Sequence, residues 1–354
     1  MLSRVVQLLK PEKEIRRISE GDFIRLRDGR ILFACSRFYG DTADDAHAEV
    51  AGWFSRDEGE SWGEMRTLLS PDTLHVNNVM SVNLLRMNNG DIGMFVVAKP
   101  DDRIYRIYLV RSGDDGAHFD RVTDCQEKTA VGQYVLNNSR VIRLTTGRIL
   151  LPLAYHRTNA APGGTSCKDG RGVAVFLYSD DDGATWEEAP DTVSMPFPSS
   201  RSGLQEPGVL EMRNGTIYAY FRTDLHAQWE AFSYDGGLHW TSAQPSRFTS
   251  PLSPMKIVRD PDGRLLAVWN PVPNYAGRVL SKTGWGRTPL VMAWSSDEGN
   301  TWSAPEVLEC EPEHGYCYPA VFFLKDGMLI SYCSGGPEEG SCLARTTIRK
   351  FTQG

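Results

Sequence analysis

The chain contains no run of about 18 consecutive apolar residues, which excludes a helical membrane span and leaves no expectation of a membrane partner. Its start, MLSRVVQLLKPEKEIRR, lacks the continuous apolar stretch of a secretory signal. With Met1 as the native start, the expected location is therefore the cytoplasm. Basic residues are not in excess: 38 Lys and Arg stand against 45 Asp and Glu, for a net charge of −7. A surface without a basic footprint argues against a nucleic-acid partner. Cysteine occurs seven times, an odd number, and never as a Cys-x-x-Cys pair. That pattern favours free thiols in a reducing compartment over a disulfide framework or a zinc site. His75, His156 and His226 match no metal-ligand spacing, so neither a metal nor a cofactor is expected. No long stretch has the periodicity of an amphipathic helix.

What the sequence does contain is repetition. Ser179–Trp186 reads SDDDGATW, a Ser-x-Asp-x-Gly-x-Thr-Trp pattern. It returns as SRDEGESW at Ser55–Trp62, SGDDGAHF at Ser112–Phe119, SYDGGLHW at Ser233–Trp240 and SSDEGNTW at Ser295–Trp302. Five copies roughly 55–65 residues apart mark a structural repeat. Each copy has the chemistry of a folded-back turn. Its Asp can accept from backbone N–H groups, its Gly adopts a conformation other residues resist, and its aromatic can pack back onto a sheet. These Asp residues are read as structural, not catalytic.

A second repeat alternates with the first. Strand, tight turn and strand recur around Gly29, Gly90, Gly147, Gly215, Gly263 and Gly327, as in FIRLRDGRILFAC and GVLEMRNGTIYAYF. Asp-Gly and Asn-Gly between alternating apolar runs signal β-hairpins. A third strand precedes each turn box (AEVAGWFS, RIYLVRS, GVAVFLYS, AQWEAFS, PLVMAWS) and a fourth follows its aromatic. Six units of four antiparallel strands predict an all-β fold, a six-bladed β-propeller filling the chain as one domain, residues 1–354. The sixth unit lacks a turn box after Gly327, so a strand near Val5–Leu9 is expected to close the ring.

Strand alternation places the Gly hairpins and the turn boxes on one rim. The other rim, where propellers usually carry function, then holds a polar set. It includes Glu20, Arg37, the acidic loop Asp41, Asp44 and Asp45, Lys99, Arg140, His156, Glu206, Arg222, Arg287 and Tyr318. Arginines, carboxylates and a tyrosine converging over a channel suit a polar, anionic small molecule or glycan.

On these residues the chain resembles the sialidase superfamily, six-bladed propellers whose repeats are called Asp-boxes, and the similarity covers nearly its whole length. In that family arginines clamp the sugar carboxylate, a Tyr paired with a Glu is the nucleophile, and an Asp is the acid/base. GLQEPGVLEMRNGTIYAYFRT is similar to the Glu-strand-hairpin-Arg segment, which implies these roles for Glu206 and Arg222. GRTPLVMAWSSDEGNTW implies Arg287 as the last arginine, and GYCYPAVFFLKDG implies Tyr318 as the nucleophile. The acid/base loop corresponds to FACSRFYGDTADDAHAEV, with Asp45 the nearest match and Asp44 next. Arg37, Arg140 and His156 complete the expected substrate-binding set. The family's first arginine sits in a Tyr/Phe-Arg-Ile-Pro motif, and here RRISEGDFIRLRDG leaves Arg17 about two residues out of register. Arg17 reaches the site through a small insertion, or Arg37 substitutes, or the clamp is incomplete.

The chemistry such a set serves is specific. Breaking a glycosidic bond beside a sugar carboxylate favours a neutral Tyr nucleophile over a carboxylate, which the sugar would repel. The resemblance thus implies retaining exo-hydrolysis of a terminal acidic sugar. Two alternatives stand beside it: a related propeller enzyme acting on another acidic sugar by hydrolysis or elimination, and a carbohydrate-binding propeller without catalysis. Fold alone does not separate them.

Overall fold

The computed structural model describes residues 2–100, 104–158, 169–275 and 277–352. Of the seven cysteines, Cys167 lies outside the described residues, and the other six are free thiols. The only helical element among the described residues is the 3-10 turn Pro71–Leu74.

Strands assemble in the order the repeats dictate. The first blade comprises Ile15–Arg25, Ile31–Tyr39, Ala48–Ser55 and Arg66–Leu69; the second comprises Asn78–Arg86, Ile92–Lys99, Arg106–Ser112 and Arg121–Asp124. A single parallel pair, Ala48 with Asn78, joins these two antiparallel sheets into one. In the third blade the inner edge is split into Gln133–Val135 and Ile142–Arg143, followed by Ile149–His156, Val173–Ser179 and Glu187–Glu188. Gln205–Glu211, Ile217–Arg222, Ala227–Ser233 and Gln244–Thr249 form the fourth; Lys256–Arg259, Leu265–Trp269, Leu290–Ser295 and Glu306–Glu309 the fifth. The sixth takes three strands from the C-terminal end, Cys317–Leu324, Gly327–Cys333 and Thr346–Thr352. Its outer strand is Leu2–Leu9, paired antiparallel from Leu2 with Thr352 to Leu9 with Thr346. The ring therefore closes where the missing turn box led us to expect.

Each seam between successive blades has its own apolar core, six in all. Leu84, Ile92 and Val110 pack with Ile24, Leu32 and Val50 between the first and second blades. At the closing seam, Leu9, Leu329 and Ile348 of the sixth blade meet Ile18, Phe33 and Trp53 of the first. Burial at about 25 cal/mol per Å² of apolar surface makes these seams the principal stabilising contacts.

The turn boxes lock the seams. In each, the Ser hydroxyl accepts from the Gly N–H and donates to the Asp, as Ser179 does with Gly183 (2.7 Å) and Asp181 (2.7 Å). Asp181 also accepts from Thr185 N (2.8 Å) and Thr185 Oγ1 (2.6 Å). Burial pushes this carboxyl up, but the hydrogen bonds outweigh burial and bring it down to about 2. The box aromatic packs into the seam with the preceding blade, Trp186 edge-on to Phe95 at 5.8 Å and Trp240 stacked on Phe176 at 4.0 Å.

The residue after the box Asp supplies a further tie. Asp182, left-handed at φ 60, accepts from Arg143 of its own blade (2.7 Å) and from the backbone N–H of Asn88 on the preceding hairpin (3.1 Å). Asp115 and Glu298 do the same with Arg86 and Arg27 N, and with Arg259 and Arg213 N. Replacing Asp182 with alanine removes both bonds and leaves a branched-free but still unfavourable left-handed residue. The expected loss is about 2 kcal/mol in urea unfolding. An unchanged midpoint would show that this seam does not depend on the tie.

Candidate functional site

On the rim opposite the hairpins and boxes, a cavity of about 650 Å³ opens over the channel. Its wall brings together Arg17 and Asp44 of the first blade, His156 of the third, Glu206 and Arg222 of the fourth, Trp285 and Arg287 of the fifth, and Tyr318 of the sixth. Another cavity, about 500 Å³, lies between the fourth and fifth blades on the box side. Its charged groups are already engaged: Glu230 accepts from Tyr218 (3.1 Å), Glu298 from Arg259, and Arg247 donates to the carbonyls of Gly299 and Asn300. The rim cavity is the one with convergent polar groups that have spare capacity.

A recurrent backbone irregularity delivers the key side chains. The inner strands of the first, second, fourth and sixth blades each carry a one-residue bulge, between Ser19 and Asp22, Met80 and Asn83, Gln205 and Gly208, and Cys317 and Ala320. In every case the residue after the bulge's first position is left-handed: Glu20 (φ 60), Ser81 (φ 61), Glu206 (φ 48) and Tyr318 (φ 55). Such a conformation costs a non-glycine residue on the order of 1–3 kcal/mol and clusters at functional sites. The bulge turns a side chain that would otherwise face a neighbouring blade toward the channel mouth.

Tyr318 donates its hydroxyl proton to Glu206 Oε1 at 2.9 Å. Burial first, then the charge of Glu206, pushes the phenol well above its usual range, so it is protonated in the free protein. Glu206 Oε1 also accepts from Arg222 Nη1, which lies 3.5 Å from the Tyr318 oxygen. Arg17 is 1% exposed and stacks on Phe38 at 4.3 Å. It donates to Ser19 Oγ (2.8 Å), the Thr42 carbonyl (3.0 Å), Asp44 (2.6 Å) and Glu20 (3.1 Å). Arg287 donates to Cys317 Sγ at 3.1 Å and lies 5.6 Å from the Tyr318 ring centre. Arg222 Nε, Arg287 Nε and Glu206 Oε2 are buried without a hydrogen-bond partner among the described residues. Buried polar atoms are nearly always paired, so three such atoms in one cavity mark where a polar ligand belongs.

Of the residues expected from sequence, Tyr318, Glu206, Arg222, Arg287 and His156 line this cavity. Arg17 does too: the added residue in the Ser19–Asp22 bulge absorbs much of its register offset. Three expected residues lie elsewhere. The strand register sets Arg37 directly opposite Glu49, and the two form a cross-strand ion pair at 2.8 Å. Arg140 follows the left-handed Ser139 (φ 56) by one residue and turns into the channel wall, donating to Tyr220 OH at 2.7 Å. Asp45 is exposed on the loop, and the carboxylate that turns inward is Asp44. The loop is built to do this. Asp41 Oδ1 accepts from Thr42 N and Ala43 N, while Lys99 Nζ and Asn78 Nδ2 (3.1 Å) donate to the Asp44 carbonyl. Burial lowers the Lys99 ammonium to about 8 against the raising effect of Asp44.

Trp285 was not anticipated from sequence. It is 41% exposed on the cavity rim, left-handed at φ 54, with Arg287 5.0 Å from its ring centre. The available signal was an aromatic between glycines, Gly284-Trp285-Gly286, in a loop two residues before an expected ligand arginine.

Comparison with known proteins agrees with this geometry at the level of the fold. The chain is 27% identical over 199 residues to the anhydrosialidase of Macrobdella decora, a match covering 52% of this chain and 22% of that protein. It therefore spans about a fifth of the curated relative's length. A Trypanosoma rangeli sialidase superposes with a TM-score of 0.74 at 15% identity, covering 99% of this chain and 59% of that one. A leech intramolecular trans-sialidase in complex with 2,7-anhydro-Neu5Ac gives 0.71 at 14% identity, covering 99% and 70%. A protein of unknown function from Dyadobacter fermentans gives 0.70 at 18%, covering 99% of both chains. A profile described as a BNR repeat-like domain matches residues 20–330, and the chain belongs to that family.

Proposed function

We propose that the protein is a glycoside hydrolase of sialidase type that removes a terminal acidic sugar with retention of configuration. The observation that carries this reading is the Tyr318 hydroxyl donating to Glu206 at 2.9 Å in a cavity walled by Arg17, Arg222 and Arg287. Three guanidiniums with free donors hold the sugar carboxylate and fix the ring. The Tyr318 oxygen attacks the anomeric carbon as its proton passes to Glu206, while Asp44 protonates the departing oxygen. In the second step Asp44 takes a proton from water, the water oxygen replaces Tyr318 on the anomeric carbon, and Glu206 returns the proton to the phenolate. A neutral nucleophile suits this cavity because a carboxylate would be repelled by the carboxylate it must approach. Trp285 at the mouth offers a face on which the leaving group can stack.

Aryl glycosides of sialic, glucuronic and neutral sugars, read by chromophore release, test the reading. Turnover of the sialoside supports it. Turnover confined to the glucuronide would move the substrate to another acidic sugar, and turnover of neutral sugars alone would overturn the arginine clamp.

Substrate affinity is expected to depend on pH through Glu20. Burial pushes its carboxyl up to about 7, against the pull of Arg17 and Lys99 and with Asp44 and Glu206 adding to the rise. Below that pH Glu20 is neutral and competes less for Arg17; above it, the carboxylate holds the guanidinium that the sugar needs. KM for an acidic aryl glycoside should therefore rise as pH increases through about 7, and Glu20→Gln should flatten that slope. The same upward shift contributes stability that is complete below the ordinary glutamate value of about 4.3 and lost as pH rises through the folded value. A slope identical in wild type and Glu20→Gln would remove Glu20 from the clamp.

A further inference from the structure

The three cavity arginines are not held alike. Arg17 is paired with Asp44 and Glu20, and Arg222 with Glu206. Arg287 has no side-chain carboxylate partner among the described residues, and its side-chain hydrogen bond goes to sulfur, Cys317 Sγ at 3.1 Å. Its backbone is pinned independently, since its carbonyl accepts from Tyr316 N (2.8 Å) and Asn270 Nδ2 (3.0 Å). A guanidinium that is 3% exposed and lacks a carboxylate needs another anion or a strong acceptor to hold it.

Cys317 is built to be that acceptor. It immediately precedes Tyr318, pairs across the strand with Cys333, and is fully buried in a cluster with Cys333, Cys342 and Leu343. Cys333 comes from the second strand of the blade and Cys342 from the loop that also supplies Ser341 and Leu343 to the cavity wall. Among the described residues no cluster of His, Cys, Asp and Glu is arranged to hold a metal ion, so the thiols are not read as a metal site. Building on the clamp assigned above, we propose that Cys317, packed against Cys333 and Cys342, is a positioning residue that holds Arg287 in place for the substrate carboxylate.

The electrostatics run the same way. Burial raises the Cys317 thiol, but hydrogen bonds from Cys333 and Cys342 and the neighbouring Arg287 reverse this and hold it well below the ordinary range. Burial first, then its interaction with Cys317, pushes Cys333 up, and its own interaction with Cys317 followed by burial pushes Cys342 up, so both remain protonated. The other charged groups facing the cluster are Arg17 and Glu20 beside Cys333, and Glu206 across Arg287. A thiolate is a large, polarizable and weakly hydrated acceptor. It neutralises Arg287 through a single Nη1 contact and does not take up a whole edge of the guanidinium, as a bidentate carboxylate would.

The test needs a readout independent of turnover. Thiolate ultraviolet absorbance at neutral pH should be present in the native protein and lost in Cys317→Ser. In Arg287→Met the midpoint of that absorbance should move up. Calorimetric titration with N-acetylneuraminic acid should show Cys317→Ser binding about tenfold or more weakly than wild type, with thermal stability retained. Should Cys317→Ser fail to fold, Cys333→Ala and Cys342→Ala each remove one donor and should raise the thiolate midpoint. Absence of thiolate in the native protein at neutral pH, or a midpoint indifferent to Arg287, Cys333 and Cys342, overturns the proposal. Thiolate that depends on Arg287 in a protein that binds no acidic sugar upholds the pairing while rejecting the sialidase reading.

Discussion

Tyr318→Phe is expected to reduce turnover of an aryl sialoside by at least about a thousand-fold, as loss of a nucleophile does, while the sugar binds within a few-fold of wild type. The substitution removes one oxygen from a side chain that is 8% exposed and leaves the ring where it packs. Its structural cost is small, because Glu206 Oε1 keeps its bond to Arg222 when the phenol is gone. The arginines do not change. Affinity measured by calorimetry therefore isolates the clamp, and stopped-flow release of the chromophore isolates the chemistry. Wild type should show a burst if breakdown of the Tyr318-linked intermediate is slow, and the variant should show none. Turnover retained in Tyr318→Phe with affinity intact would assign the attack to water, with Glu206 as its base, and inversion at the anomeric carbon would then follow.

The same tyrosine marks the limit of what could be read before the structure. Blade number, seam order and the closing strand were legible because they rest on patterns that repeat: apolar alternation, Asp-Gly and Asn-Gly turns, and a box whose chemistry is local. The left-handed bulges were not, since their occupants Glu20, Ser81, Glu206 and Tyr318 include no glycine to signal positive φ. Tyr318 and Glu206 could be assigned to the rim from their place before first strands, but their roles came only through the family resemblance of their flanking segments. Alternation alone would have given a strand in register and sent those side chains to a different face. Arg37 shows the converse error. Its place at the end of a second strand was right for the rim, yet the register sets Glu49 directly across from it, and the pair lies outside the cavity wall. Glu49 also accepts from Tyr39 OH at 2.7 Å, so the pair belongs to a local network at the blade edge. Sequence spacing sees none of these pairings, because each joins residues whose distance depends on register.

Asp44→Asn is expected to lower kcat by roughly 100- to 10,000-fold on a substrate with a sugar leaving group, the range for losing a general acid/base, while Asp45→Asn leaves it near wild type. The two residues are neighbours on one exposed loop, so the contrast controls for loop charge. What separates them is direction: Arg17 Nη1 holds the Asp44 carboxylate at 2.6 Å inside the cavity wall, whereas Asp45 offers its carbonyl to Asn77 and its carboxylate to solvent. The side chain of Asp44 is nonetheless 64% exposed, which fits a group that must meet both a leaving oxygen and an incoming water. Leaving-group dependence supplies the decisive comparison. A nitrophenolate departs without a proton, so the first step should be nearly unaffected in Asp44→Asn with an aryl substrate, and the deficit should appear in the second step as an accumulating Tyr318-linked intermediate. With a sugar leaving group the first step itself should fail. Azide, a nucleophile that needs no base, should restore turnover of the aryl substrate in Asp44→Asn and leave the native rate unchanged. If Asp45→Asn carries the deficit instead, the inward carboxylate is a brace for Arg17, and the loop must reorganise when substrate arrives.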